Sequence, residues 1–273
     1  MKKFLSVLLA LGLAVSATAC AGGASSSSEA ASSEPEATPA AESEAATSEA
    51  AASTGEVMTY DEYMAAAVDE AVTIESCVQA KQSYYAEQGT ATVYLQDESG
   101  AYFAYDMACT QEEYDAMTEG TRIRVSGYKA EWSGEVEIMD GQLDEILEGD
   151  TYVAEPLDVT ELLGTDELES HQNEKVKFTG LTVAPSTIDG DTTEYAFLYN
   201  YDGSGTQGDD VYFNVEYNGE KYQFLVESYL CDSESEVYKA VEALEIGQTI
   251  DCEGFLYWYE GVNPHITSVT VAG

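Results

Sequence analysis

The sequence predicts a mainly β protein: two tandem five-stranded Greek-key barrels, each with a short helix between its third and fourth strands, behind a disordered N-terminal tether. Three observations predict it. The stretch at residues 120–134, GTRIRVSGYKAEWSG, returns at residues 247–261 as GQTIDCEGFLYWYEG. A single offset of 127 pairs Gly120 with Gly247, Ile123 with Ile250, Gly127 with Gly254, Tyr128 with Phe255, Trp132 with Tyr259 and Gly134 with Gly261. Each copy follows the same succession of short alternating apolar segments, and residues 21–55 lack the aromatic residues a core requires.

Taken in order, the chain opens with Lys2 and Lys3, an apolar run over residues 4–15 and Ser16-Ala17-Thr18-Ala19-Cys20. A charged start, an apolar run too short to span a bilayer as a mature helix, and small residues before one cysteine read as a secretory signal over residues 1–19. The placing of Cys20 resembles the lipobox of bacterial lipoproteins, although Ala17 stands where that motif usually has Leu. The resemblance implies a lipidated Cys20 as the new N-terminus, a membrane partner through that lipid, and a place on the outer face of the bacterial cytoplasmic membrane. Residues 20–56, rich in Ala, Ser and Glu, then read as a disordered spacer with an r.m.s. reach of about 30–35 Å.

Residues 57–150 form the first expected domain. Thr59-Tyr60-Asp61-Glu62 starts a short helix with Thr59 or Asp61 as its cap, and Tyr60, Tyr63, Met64 and Ala67 fall on one apolar stripe. Strand patterns follow at residues 72–78, 90–96 and 101–107, with a turn at 97–100. A helical segment at 111–117 leads to a fourth strand at 122–130, and 135–139 supplies a fifth. This is the order of an OB-fold barrel. Tyr94-Leu95-Gln96-Asp97, Gly100-Ala101 and the glycines at 120 and 127 also resemble the OB-fold domains of bacterial lipoproteins and secreted nucleases. That resemblance covers about 70 residues and implies fold more than activity.

Residues 151–273 form the second expected domain. A connector with short helical turns at 159–164 and 166–169 precedes a first strand at 175–184. Strands at 210–216 and 221–227 flank Asn218-Gly219, a strong two-residue hairpin signal. A helix at 233–244, the second copy of the doubled stretch and a last strand at 264–271 complete the order. Residues 185–208 are an insertion with a strand-like segment at 194–199. In the doubled stretch, alternation sends Ile123, Val125, Ile250 and Cys252 inward, and Gly127 and Gly254 mark a sharp bend in mid-strand.

No reaction is named by any motif, and a non-catalytic role is expected. The two histidines, His171 and His265, lie in no zinc or triad-like signature. Cys77, Cys109, Cys231 and Cys252 are even in number, which permits disulfides, but Cys252 takes the place of the inward Val125 and reads as a buried thiol. Oxygen-rich loops at 189–191 and 202–210 miss calcium-loop spacing and read as turns, so neither metal nor cofactor is expected.

The candidate ligand residues come from where OB-folds bind: the outer face of strands two and three and the loops after strands one and four. In the first unit these carry Lys81, Tyr84, Tyr85, Lys129 and Trp132, with Tyr94 and Tyr102 outward if Val93, Leu95 and Phe103 point inward. Arg122 and Arg124 complete the set; the two, with Lys81 and Lys129, are four of only ten basic residues. Stacking platforms beside cations suit single-stranded nucleic acid, and the same rings suit sugars. Fifty-two acids against ten bases give a formal charge of −42, which disfavours nucleic acid. The expected function is therefore an anchored, monomeric binding or accessory protein for an extracellular oligosaccharide or protein partner, with single-strand nucleic-acid binding as the alternative.

Overall fold

In the computed structural model, the structure describes residues 55–272. The signal segment, Cys20 and almost all of the tether lie outside the described residues. Within them the chain is mainly β, in two closed five-stranded barrels. Thr59 caps the first helix α1 (Tyr60–Ala65) through a reciprocal capping box with Glu62, which ends the choice between Thr59 and Asp61. The first barrel contains β1 (Ala71–Lys81), β2 (Thr90–Gln96), β3 (Ala101–Ala108), β4 (Arg122–Trp132) and β5 (Glu135–Ile146), with α2 (Gln111–Ala116) between β3 and β4. Its strands close in the order β1-β2-β3-β5-β4 and back to β1, with β3 and β5 parallel. That order, with the helix in that place, is the OB topology.

After a two-residue β6 (Leu157–Asp158) and two short 3-10 turns, the second barrel runs through β7 (Lys175–Ala184), β9 (Val211–Tyr217), β10 (Glu220–Val226), β11 (Thr249–Phe255) and β12 (His265–Val271). The insertion contributes only β8 (Leu198–Tyr199), so its strand is shorter than expected, and α3 (Glu236–Glu242) stands between β10 and β11. The order β7-β11-β12-β10-β9, closed by β9 on β7, reproduces the first barrel strand for strand. Asn218 and Gly219 both take positive φ, 53° and 86°, the primed turn that a two-residue hairpin of twisted strands requires.

Ile123, Val125 and Ile250 are fully buried and Cys252 nearly so, each inside its barrel as alternation expects. The mid-strand glycines answer to close approach of the partner strand. A Cβ on Gly127 would lie 2.6 Å from Ile138 Cγ2, and one on Gly254 would collide with the His265 carbonyl oxygen. The pairing register shifts at both places, which bends the strands into closure. The apolar stripe expected on α1 is narrower than read: Tyr63 is buried against the barrel, whereas Met64 is exposed because the helix ends at Ala65.

The barrels pack through one another's outer surfaces. Tyr94 stacks on Phe255 with ring centroids 4.4 Å apart, and its hydroxyl is hydrogen-bonded to His265 Nδ1 at 2.7 Å. The tip of the β4–β5 hairpin meets the second copy of the doubled stretch: the Glu260 N–H donates to Ser133 O and the Trp258 N–H to Glu135 Oε2, both at 2.8 Å. Gln172 and Asn173 bind the edge of β5, and the Lys175 N–H donates to Gln96 Oε1.

Candidate functional site

The nine residues nominated from the sequence do not assemble into one groove. Their cations are spent on the fold. Lys129 is buried, and its Nζ donates to the carbonyls of Met64 and Ala66, so it caps the C-terminus of α1 instead of meeting solvent. Lys81 Nζ donates to the Tyr114 carbonyl and lies 3.8 Å from the centre of that ring. Arg124 bridges Glu75 and Glu145 at 2.6 and 2.9 Å, and Arg122 faces Asp97 at 3.9 Å. With acids so abundant, each cation finds a carboxylate or carbonyl before it can form a basic face.

The aromatic nominees divide three ways. Tyr102 points into the barrel, not out of it. Leu95 pairs with Tyr102 and Tyr94 with Phe103, so the inward face carries Leu95 and Tyr102 while Phe103 turns outward. The inference from Phe103 fails because the second barrel supplies apolar cover for that face. Tyr94 does point outward, yet it is fully buried beneath Phe255. Tyr84 and Tyr85 alone line a pocket, with Tyr229 of the second barrel and Tyr105 of β3. Trp132 is 60% exposed at the end of β4 and lines neither that pocket nor the larger groove beside it.

A larger groove of about 600 Å³ continues from that pocket, sharing Gln82 and Tyr105 with it, and follows the seam between the barrels. Its floor is the outer face of β9 and β10, where Tyr212 pairs with Leu225 and Asn214 with Gln223. The segment after β11 adds Tyr257, Tyr259 and Asn263, the insertion adds Tyr201, and β3 of the first barrel adds Phe103 and Tyr105. Strand-two and strand-three faces with the loop after strand four are where an OB barrel receives ligands. The second barrel's face lines the groove, whereas the first barrel's equivalent is covered at Tyr94 by Phe255 and stays open at the Tyr84–Tyr85 pocket.

The groove is aromatic and acidic. Asp210 Oδ1 accepts from the Ser228 N–H and Oγ–H, both at 2.8 Å. The Glu227 carboxyl accepts from the N–H groups of Tyr229 and Leu230 at 3.0 and 2.8 Å, yet burial pushes it up to about 7. Burial also lowers His265 to about 3, so its ring is neutral. Tyr212 is raised to about 12, by burial first and then by Asp210 and Glu227. Among the described residues neither Lys nor Arg lines it.

No protein-family model matches the sequence, and no curated protein is similar to it. Solved structures with a similar arrangement include the Ifi202 HINa domain in complex with a 20-base-pair DNA duplex, at 11% identity and a TM-score of 0.33, over 76% of this chain and 96% of that one. A replication protein A heterotrimer bound to single-stranded DNA is similar at 12% identity and a TM-score of 0.29, over 74% and 49%. The single-stranded DNA binding protein of Thermus aquaticus is similar at 15% identity and a TM-score of 0.24, over 76% and 95%. These likenesses are of fold alone, and the strand order given above is what establishes the barrels.

The groove tyrosines that the sequence patterns do not single out are Tyr105, Tyr201, Tyr212, Tyr257 and Tyr259. One signal was present: the chain has 20 tyrosines against 7 phenylalanines and 2 tryptophans, an excess of rings that carry a polar tip. Among the described residues the four cysteines are free thiols, no group of three or more His, Cys, Asp or Glu is arranged to hold a metal, and no helix is long and apolar enough to cross a membrane.

Proposed function

We propose that the chain is a non-catalytic binding module whose ligand lies along the tyrosine-lined seam, on the open strand face of the second barrel. The observation that carries this is the groove itself: about 600 Å³ of aromatic wall with convergent amides and carboxylates, at an OB barrel's ligand position. Exposed tyrosine faces accept sugar rings or flat apolar surfaces, and Gln82, Gln223 and Asn263 offer both donors and acceptors. An uncharged or cationic extracellular ligand fits this lining. Anchoring through a lipid on Cys20, outside the cytoplasmic membrane, rests on residues 1–20 of the sequence alone and belongs to the same proposal.

The second reading is nucleic-acid binding. The solved structures of similar fold include DNA complexes, which speaks for nucleic acid rather than for an extracellular ligand. Against it stand the acids of the seam, the ion-paired arginines and the formal charge of −42. A titration separates the two. Trp258 is half-buried and stands between Tyr257 and Tyr259, which line the seam, so its fluorescence is the reporter of occupancy. With neutral oligosaccharides a saturable change is expected. With a single-stranded oligonucleotide at about 50 mM salt, where phosphate contacts are strongest, none is expected. Saturable, salt-sensitive oligonucleotide binding would instead establish the second reading.

A further inference from the structure

One end of the seam has a charge chemistry that goes beyond its shape. Tyr201 and Tyr212 meet with ring centroids 6.4 Å apart and planes at 77°, forming two walls at nearly a right angle. Asp210, Glu227 and Tyr259 line the same groove as this ring pair. Glu227 is only 8% exposed and, among the described residues, is met by two backbone N–H groups and no cation. A carboxylate removed from water without an opposite charge is costly, and a cation brought by a ligand would remove that cost. Tyrosine faces attract the same cation through their negative π surface, and the acidic whole-molecule field draws it in.

We propose that this end of the groove is a subsite for an organic ammonium group on a small ligand, held by the faces of Tyr201, Tyr212 and Tyr259 and by the carboxylates of Asp210 and Glu227. A neutral sugar would use the same rings but leave both carboxylates unbalanced, which is why charge and not stacking distinguishes the ligand class. The inference rests on the seam being a ligand site and adds the charge of what enters it.

The test is calorimetric, on the full chain at low salt, with choline chloride, Nα-acetyl-lysinamide, the β-1,4-glucosamine tetramer and the N-acetylated form of that tetramer as probes. The two tetramers share a backbone and differ in their ammonium groups. The glucosamine tetramer is expected to bind roughly tenfold or more tightly than its acetylated form. Binding of choline or of the lysine amide also supports the subsite, and which of them binds tells an alkyl from an amino-acid source. Asp210→Asn keeps Oδ1 as the acceptor for both Ser228 bonds, so the fold should be unchanged by melting while ammonium affinity falls about tenfold. Glu112→Gln, which removes a remote exposed acid on α2, should leave affinity unchanged. Equal or tighter binding of the acetylated tetramer overturns the ammonium subsite and leaves the seam standing as a ligand site. An equal loss in Glu112→Gln also overturns it, because the attraction is then that of the whole-molecule field. Binding of no probe removes the seam reading as well.

Discussion

Glu135 sits fully buried with Oε2 accepting from the Trp258 N–H, while its Oε1 and the Oδ1 of Asn173 beside it have no hydrogen-bond partner. A buried carboxylate oxygen left without a partner is costly unless the carboxyl is neutral. Burial pushes Glu135 up to about 8, outweighing the Asn173 side chain and the Trp258 N–H that pull it down, and the neighbouring Glu137, raised to about 7 by its own burial, adds to the push. The sign of the consequence is fixed. Unfolded glutamate titrates near about 4.3, so the folded state holds an extra proton between there and about 8, and stability falls as pH rises through that window. Melting followed by circular dichroism from pH 5 to 9 should therefore show a weaker pH dependence in Glu135→Gln, with the variant gaining most above pH 8. An unchanged slope would mean that Glu135 ionises freely. The same scale explains where the nominated cations go. Lys129 reads from the sequence as a loop cation, and nothing in its spacing announces that helix carbonyls 63 and 65 residues away will claim it.

At the scale of elements, period-2 alternation located the strands well. Residues 90–96 and 175–184 match β2 and β7 to the residue, while β5 runs to Ile146, well past the expected 139. Alternation cannot choose between the two faces of a strand when both are apolar. In β3, Tyr102 and Phe103 are both buried, and only the pairing with Leu95 and Tyr94 assigns their sides. That is why the barrels were legible and the site was not: a barrel is specified strand by strand, whereas the seam depends on which outer faces meet. Two predictions belong here. Gly254→Ala places a methyl against the His265 carbonyl on the paired strand, and should cost roughly 2–3 kcal/mol in urea unfolding. Lys129→Met keeps the apolar stem but removes both bonds to the α1 terminus, so amide exchange of residues 60–66 should accelerate while the second barrel's does not. Equal acceleration in both barrels would show that Lys129 acts on global stability and not on α1.

For the molecule as a whole, the doubled stretch builds a barrel in each copy and also joins them, since the β4–β5 tip docks on the residues after β11. The joint is made by rings: Tyr94 between Phe103 and Phe255, with Phe103 against Tyr257 at 5.4 Å. Removing one such buried ring costs about 3–5 kcal/mol, and here the loss falls on the seam. Phe255→Ala is expected to split a single unfolding transition into two, whereas one sharp transition at a lower midpoint would mean that the barrels remain coupled by other contacts. Joining the barrels covers part of the outer β2–β3 face of the first and walls the outer β9–β10 face of the second. The acids remain dispersed over the surface and around the groove, whose lining is made of rings, amides and carboxylates.

The most direct measurement compares two variants against the wild-type protein for the oligosaccharide or ammonium probe that binds most tightly. Tyr212→Ala combined with Tyr259→Ala removes rings from the seam, and Trp132→Ala removes the most exposed ring of the nominees outside it. The seam variant should lose affinity by about tenfold or more, at roughly 1–3 kcal/mol per stacked ring, with its fold retained by circular dichroism, and Trp132→Ala should bind as the wild type does. Full affinity in the seam variant together with a loss in Trp132→Ala would contradict the account and return the site to the first barrel.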